Sequence, residues 1–260
     1  MTVVLTIDKQ AYSDREILPL LIKYRLLPQL AKEILIEQAI GGIDCPTADI
    51  AAARQQFCQQ QQIHSEEQLQ QWLQNQGKSE EDLEQQLARQ QKLEKFKQQT
   101  WGSHLESYFL ERKRGLDRIV YSLIRTQDAG VAQELYFRIQ EGESNLPDLA
   151  RQYSQGSEAQ TGGLIGPIEI SAPHPKIGQL LATSKPGQIL PPTRIENWWV
   201  ILRLEKFIGA QLDEAMRLRL LEERFQQWLR EQLQTKVSLA TPDGDTAPSA
   251  TPSPSSATVS

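Results

Sequence analysis

The sequence predicts an α+β protein, because two regions with helical periodicity flank a central region of strands and turns. Residues 1–114 are rich in Gln, Glu and Leu, and their apolar residues recur three and four positions apart. Residues 115–209 hold most of the glycines and the β-branched runs, and residues 210–236 return to a helical pattern. Residues 237–260 are mainly Ser, Thr, Ala and Pro, so we expect a disordered tail. The composition therefore predicts a helical domain, a mixed domain, a C-terminal helix and a tail, in that order.

The charge and composition of the 260-residue chain exclude several classes of protein. The formal net charge is -5 and no basic footprint is visible, so we expect no nucleic-acid partner. Two cysteines, Cys45 and Cys58, are too few for a disulfide framework. The longest apolar stretch, residues 17–27, is interrupted by charged residues, so we expect no membrane span. The first residues do not resemble a secretory signal, and we expect a soluble, cytoplasmic protein.

Capping residues mark where the N-terminal helices begin. Ser13, Ser65 and Ser79 are each followed three positions later by an acidic or amide residue, which is typical of a helix N-cap. Pro28 is expected to bend the first helix. The predicted helices span residues 14–40, 47–62, 66–76 and 80–113.

The central region alternates strand and helix patterns. A β-branched run opens it, two amphipathic helices follow, and glycine- and proline-rich turns separate the remaining elements. The resulting order, β-α-α-β-α-β-β, predicts a small, mostly antiparallel sheet with helices outside it. The predicted elements are residues 116–125, 129–141, 145–153, 162–167, 175–182, 189–194 and 198–207, and a final helix follows at 212–233.

Standard metal-binding and phosphate-binding patterns are absent from the sequence. His64, His104 and His174 are not within ligand spacing of one another or of a cysteine, so we expect no zinc. The glycine-rich loop at 162–166 lacks the Lys and Ser/Thr of a phosphate-binding loop and opens no helix. We therefore expect neither a metal nor an organic cofactor.

Four motifs in the central region give the sequence a resemblance to a known family. In chain order they are 119–125 (IVYSLIR), 143–154 (ESNLPDLARQYS), 162–166 (GGLIG), and 185–189 (KPGQI) followed by 196–202 (ENWWVIL). Together they resemble the parvulin-type (PpiC, rotamase) peptidyl-prolyl cis-trans isomerases, over about residues 115–207. The resemblance implies an isomerase that acts on proline-containing polypeptide clients.

The flanking regions are similar to those of SurA-type chaperones. This resemblance implies an α+β architecture in which a helical N-terminal domain and a C-terminal helix surround a parvulin-like domain with a small, mostly antiparallel sheet. It also implies that residues 210–236 pack on the N-terminal helices, and that the chain binds unfolded polypeptide. The sequence leaves open a homodimer formed through the helices.

The resemblance also assigns candidate site residues. The family's polar site, which has a histidine, an acid or cysteine and a second histidine, falls on Ser122, Leu164 and Trp199. Because these polar groups are replaced, catalysis is expected to be weak, and restoring them is expected to raise it. The expected substrate-binding residues are Gly163, Ile168, Pro173, Ile177, Leu180 and Trp198.

Three functions stay open on the sequence alone. The first is a prolyl isomerase with chaperone-like polypeptide binding. The second is a non-catalytic chaperone or adaptor that binds unfolded or secreted polypeptides, and the third is a structural adaptor whose helices form a homodimer. Isomerisation of an X-Pro peptide separates the first two functions, and size-exclusion chromatography addresses the third.

Overall fold

The computed structural model describes residues 2–238, which form two compact units. Unit 1 comprises the described residues up to Gln98 and those from Glu223 onward, and unit 2 comprises Gln99–Glu222. The predicted disordered tail, residues 237–260, lies outside the described residues except for its first two. Within residues 2–238, no helix is both long and apolar enough to cross a membrane.

Unit 1 is mostly helical, and its predicted N-caps are present. The Glu16 carboxylate accepts a hydrogen bond from the N–H of Ser13 (2.8 Å), and Ser65 Oγ accepts one from the N–H of Gln68 (3.3 Å). Ser79 caps its helix through the same kind of bonds. The elements are β1 (Val3–Ile7), β2 (Gln10–Ser13), α1 (Asp14–Lys23), α2 (Leu27–Ile40), α3 (Thr47–Gln60), α4 (Glu66–Gln76) and α5 (Glu80–Trp101).

The predicted first helix, residues 14–40, is in fact two helices, α1 and α2. The chain breaks between them at Arg25, whose φ of 56° lies in the left-handed region. Pro28 does not bend one long helix; it lies in the first turn of α2, where its missing N–H is tolerated. The antiparallel hairpin β1–β2 was not predicted, although the β-branched residues before Asp8-Lys9 are typical of a strand and a turn.

The predicted long helix, residues 80–113, is also interrupted. A 3₁₀ turn at Gly102–His104 separates α5 from α6 (Leu105–Leu116). Gly and Ser at this break have lower helix propensity than the Leu, Glu and Gln that dominate α5. The helical periodicity continues through the break, which is why the sequence pattern alone did not reveal it.

One apolar core of unit 1 contains residues from α3, α4 and α5. Phe57 and Trp72 pack edge to face there, with ring centroids 5.1 Å apart. In the last turns of α5, Phe96 packs on Trp228 of the C-terminal helix α10 (Glu214–Lys236), with centroids 5.3 Å apart. The buried residues of this core are Ala53, Leu69, Leu73, Leu83 and Leu87.

Unit 2 has the predicted β-α-α-β-α-β-β order, and the α+β prediction is confirmed. Four strands form one antiparallel sheet in the order β4-β3-β6-β5. Besides α6 and the first part of α10, the elements are β3 (Arg118–Thr126), α7 (Ala129–Gln140), α8 (Leu146–Tyr153), β4 (Leu164–Glu169), α9 (Pro175–Ala182), β5 (Ile189–Ile195) and β6 (Trp198–Ile208).

The pairing of β3 with β6 assigns side chains to the two faces of the sheet. Leu123 lies opposite Leu202 and packs in a cluster with α9, so we name this side the α9 face. One position further along β3, Ile124 lies opposite Ile201 and packs with α7 and α8, which defines the α7/α8 face. The α9 face carries Tyr121, Leu123, Arg125, Trp198, Val200, Leu202 and Leu204, and the α7/α8 face carries Ser122, Ile124, Thr126, Trp199, Ile201 and Arg203.

Polar contacts tie the segments next to α6 and α10 to the sheet of unit 2. The N–H of Ala210 donates to the carboxylate of Asp117 (2.8 Å), and Arg219 of α10 pairs with Glu169 of β4. The units therefore divide after residues 98 and 222, whereas the composition placed limits after residues 114 and 209.

Candidate functional site

A pocket of about 200 Å³ opens on the α9 face, where the start of α9 meets the β5–β6 turn. An engineered apolar cavity of about 150 Å³ holds one benzene molecule, so this pocket has room for one small ring. Most of the side chains that line it are apolar, and three are polar or charged. The lining residues are Leu123, Arg125, His174, Ile177, Ile195, Glu196, Trp198 and Val200.

The local sequence sets α9 against the sheet. His174 caps the helix, because its Nδ1 accepts a hydrogen bond from the N–H of Lys176 (3.2 Å). Gly178 permits a close approach, since a Cβ at this position would lie 2.6 Å from the carbonyl oxygen of Ile170. As a result, Ile177 is buried and forms part of the pocket wall.

The β5–β6 turn adds charge to the rim of the pocket. Glu196 has a φ of 52°, and its carboxylate lies 3.7 Å from His174 Nε2. Both side chains are exposed, so the pair is in contact with solvent. Protonation of His174 would convert this contact into an ion pair.

The guanidinium of Arg125 is held in one place beside the pocket. Its Nη2 donates to Glu158 Oε2 (3.0 Å), and its Cζ lies 5.5 Å from the centroid of the Trp198 ring. Gly156 leaves the necessary space, because a Cβ there would lie 1.9 Å from Nη2 and 2.0 Å from Nε. The Nε atom is buried and has no hydrogen-bond partner within residues 2–238. A buried unpaired donor costs about 1–3 kcal/mol, so the arginine is held where its own hydrogen bonding is incomplete.

Glu158 anchors Arg125 from inside the protein. Only 4% of the Glu158 side chain is exposed, and its carboxylate also accepts a hydrogen bond from Ser154 Oγ (2.6 Å). Ser154 Oγ in turn accepts one from the backbone N–H of Arg125 (3.1 Å). One network therefore fixes both the main chain and the side chain of Arg125.

Tyr121 lies two positions from Leu123 on the α9 face and is almost completely buried. Burial raises the pKa of its phenol, the Glu158 carboxylate raises it further, and Arg125 lowers it. The phenol is therefore neutral at physiological pH, and its hydroxyl lies near the ion pair of Arg125 and Glu158.

The pocket contains two of the predicted substrate-binding residues, Ile177 and Trp198. Sequence reasoning did not assign the other six to the site. The alternation of side chains along a strand predicts some of them. Residues two apart share a face, so a site that includes Trp198 is expected to include Val200. The six residues that were missed are Leu123, Arg125, His174, Ile195, Glu196 and Val200.

The remaining predicted substrate-binding residues lie outside the pocket lining. Gly163 has a backbone role: its φ is 83°, and a Cβ would lie 2.7 Å from the carbonyl oxygen of Leu123. Leu180 packs against the apolar cluster of the α9 face. Pro173 is half-buried ahead of α9, and Ile168 lines a separate, open cavity beside β4.

The three positions aligned with the family's polar site do not lie at the pocket. Ser122 pairs with Leu164 across β3 and β4, and Trp199 lies opposite Thr126, all on the α7/α8 face. Ser122 is buried and its hydroxyl donates to Glu205, while Leu164 is 49% exposed. A shift of one residue along a strand moves every side chain to the other face. Ser122 and Trp199 are each one position from a pocket residue, Leu123 and Trp198, and therefore lie on the opposite face.

Comparisons with known proteins match this part of the chain. The rotamase family model, described as the PPIC-type PPIase domain, matches residues 125–206. The chaperone SurA of Pseudomonas aeruginosa is 32% identical over 111 residues, which are 39% of this chain and 26% of the relative. The chaperone SurA of Shewanella oneidensis is 34% identical over 104 residues, which are 36% of this chain and 24% of the relative. The chain thus spans about a quarter of the length of these curated relatives.

A structure of the peptidylprolyl isomerase PrsA from Bacillus anthracis is 21% identical, with a TM-score of 0.46, and the match covers 82% of this chain and 100% of that chain. The family match itself runs from the end of β3 into β6 and includes nearly all of the pocket lining. The resemblance inferred from the four motifs is confirmed: residues 125–206 match the family model of the PPIC-type, or parvulin-type, PPIase domain.

Proposed function

We propose that the chain is a peptidyl-prolyl cis-trans isomerase that also binds unfolded polypeptide, and that the pocket on the α9 face receives the prolyl ring. The observation that carries the proposal is a ring-sized, mainly apolar pocket whose lining, except for Leu123, lies in the region that the isomerase family model matches. The proposed substrates are proline-containing polypeptide segments.

Isomerisation of an X-Pro bond needs no covalent step. The barrier of about 18–20 kcal/mol comes from the partial double-bond character of the C–N bond. A protein lowers this barrier by binding the twisted amide more tightly than either planar form. Apolar side chains such as Ile177 and Val200 would hold the ring and exclude water, which strengthens the polar contacts made to the amide.

We propose that catalysis is weak. Strands β3 and β6 contain no histidine, and the imidazole at the pocket, His174, comes from the loop before α9. The histidine pair of the family is therefore missing, and the rate would depend on the apolar slot and on hydrogen-bond donors.

Exchange NMR on a short X-Pro peptide tests the proposal with the full chain. The wild type should increase the cis-trans exchange rate above that in buffer. Ile177→Ala should raise KM severalfold, because the slot loses part of its wall. Leu180→Ala is the matched control on the same helix: it packs on the cluster but does not line the pocket, so its KM should stay unchanged. A wild-type exchange rate equal to that in buffer would exclude the isomerase function.

A second function, polypeptide binding without catalysis, is favoured by the surface of unit 1. Within residues 2–238, ten of the fifteen large apolar side chains that are exposed lie between Val3 and Ile34. Four of them line an apolar groove of about 270 Å³ formed by the β1–β2 hairpin and α1, namely Leu5, Ile7, Tyr24 and Leu26. Monomeric proteins rarely leave such a concentration uncovered, and it is typical of an interaction surface.

Suppression of aggregation tests this second function. Tyr24→Ser and Leu5→Ser, both in the groove, should reduce the ability of the chain to keep a denatured client in solution. Leu110→Ser is the matched control, because Leu110 is 62% exposed but lies in unit 2. If the groove variants instead convert a dimer into a monomer and leave the suppression unchanged, the surface is covered by a second copy of the chain.

A further inference from the structure

We infer that Arg125 is a catalytic residue whose guanidinium donates a hydrogen bond to the prolyl amide as the amide twists in the pocket. The inference rests on the proposed isomerase function. It assigns the hydrogen bond to the twisted amide to a side chain on the α9 face. Arg125 lines the pocket, and a third of its side chain is exposed, so a bound peptide can reach it. Within residues 2–238, Nη2 is hydrogen-bonded to Glu158 and Nε is buried beside Gly156, so Nη1 is the guanidinium nitrogen that can donate to a bound peptide.

The chemistry of the reaction explains why a donor is useful here. In the planar amide, the lone pair of the prolyl nitrogen is delocalised into the carbonyl group. Twisting about the C–N bond ends this delocalisation, so the lone pair becomes available as a hydrogen-bond acceptor. A donor that meets it binds the transition state but not the ground state, and such an interaction raises kcat. A guanidinium suits this role because it is always charged, and charge-assisted hydrogen bonds are roughly twice as strong as neutral ones.

The surroundings of Arg125 hold the donor in place before the substrate arrives. Glu158 binds one edge of the guanidinium, and the Trp198 ring lies beside it. Gly156 has no side chain and therefore leaves room for the guanidinium. Donors that are already oriented stabilise a transition state without reorganisation during the reaction. Glu158 therefore fixes the guanidinium through Nη2 and leaves Nη1 to meet the substrate.

Gly156 offers a way to move the guanidinium without changing its charge. Its backbone conformation, with φ -125° and ψ 177°, is open to any residue, so alanine adds no backbone strain. The new Cβ would overlap the ends of two flexible side chains, Arg125 and Glu158, and these must shift. Gly209→Ala is the matched control, because the Cβ it would add lies 3.8 Å from Lys113 Nζ and 3.9 Å from Asp117 Oδ1, which are ordinary contacts.

The experiment measures exchange rates of an X-Pro peptide at several peptide concentrations, with the full chain and its variants. Arg125→Gln should lower kcat at least about tenfold and leave KM within a factor of about two, as expected for the loss of a charged donor used in the transition state. Arg125→Lys should fall between these values, because a point charge cannot both pair with Glu158 and reach the amide as the planar fork does. Arg203→Gln, which changes an arginine on the α7/α8 face, should keep the wild-type rate.

Each result supports or overturns the inference. A kcat of Arg125→Gln equal to that of an active wild type would overturn the role of Arg125 and leave the isomerase function standing. A rise in KM at constant kcat would also overturn it, because the contact would then belong to the ground state. If Gly156→Ala keeps the wild-type kcat, the fixed position of the guanidinium is not required and the inference is overturned. A wild type without activity would remove the isomerase function, and this inference with it.

Discussion

The two faces of the β3–β6 strand pair are built from alternating residues of the same strands. One face is closed to solvent, whereas the other is partly open. On the α7/α8 face, Ile124 and Ile201 are fully buried beneath Leu146 and Leu149. On the α9 face, the cluster is closed around Leu181 but opens towards the β5–β6 turn into a pocket of about 200 Å³. The comparison shows that one face stabilises the sheet, and the other exposes part of the same strands to a ligand.

The largest expected effect is on the closed face. Ile124→Ala should lower the free energy of unfolding by about 2–5 kcal/mol, because it leaves a cavity in a fully buried site. Val200→Ala on the α9 face should cost less, since Val200 already borders open space and loses fewer methyl groups. Urea denaturation of both variants measures the difference. Equal losses would show that the two faces are equally closed in solution.

The next effect uses two neighbouring tryptophans as a matched pair. Trp198→Ala should lower the isomerase activity severalfold, because it removes a pocket wall and the ring beside the Arg125 guanidinium, a contact worth about 0.5–2 kcal/mol. Trp199→Ala, on the α7/α8 face, should leave kcat unchanged. The measurement is the exchange rate of an X-Pro peptide, corrected for the folded fraction. The opposite ranking would place the active site on the α7/α8 face.

A smaller effect concerns stability at alkaline pH. The pKa of Tyr121 is raised above 10.0, chiefly by burial, so the native state holds this proton more tightly than the unfolded state does. The associated stability is complete below about pH 10 and falls as pH rises towards the native pKa, by at most about 1.4 kcal/mol per pH unit. Tyr121→Phe should therefore lose less stability than the wild type above pH 10. Parallel stability curves for the two proteins across this range would contradict the raised pKa.

The element order of unit 2 could be read from the sequence, because it depends on local periodicity and turn residues. The bounds of α9, residues 175–182, follow directly from Pro175 and the apolar residues after it. The pocket could not be read in the same way, because its lining comes from distant segments, such as Arg125 and Glu196, that only the fold brings together. The face on which a single strand residue lies depends on the exact register, since a shift of one position exchanges the two faces. The hydrogen bonds among Ser154, Glu158 and Arg125 could not be predicted either, because no sequence pattern links the three residues.

The smallest expected effect is the most direct test of the face assignment. Sequence reasoning predicts that Ser122→His, Leu164→Asp and Trp199→His together raise the isomerase activity. The structure places all three on the α7/α8 face, away from the pocket, so the triple variant should show no gain in kcat. Ser122 is buried and bonded to Glu205, so the variant must first be shown to be folded, for example by its circular dichroism and thermal unfolding. A folded triple variant with a clearly higher kcat would mean that the substrate meets the α7/α8 face. In that case the pocket beside Arg125 would have to be assigned another role.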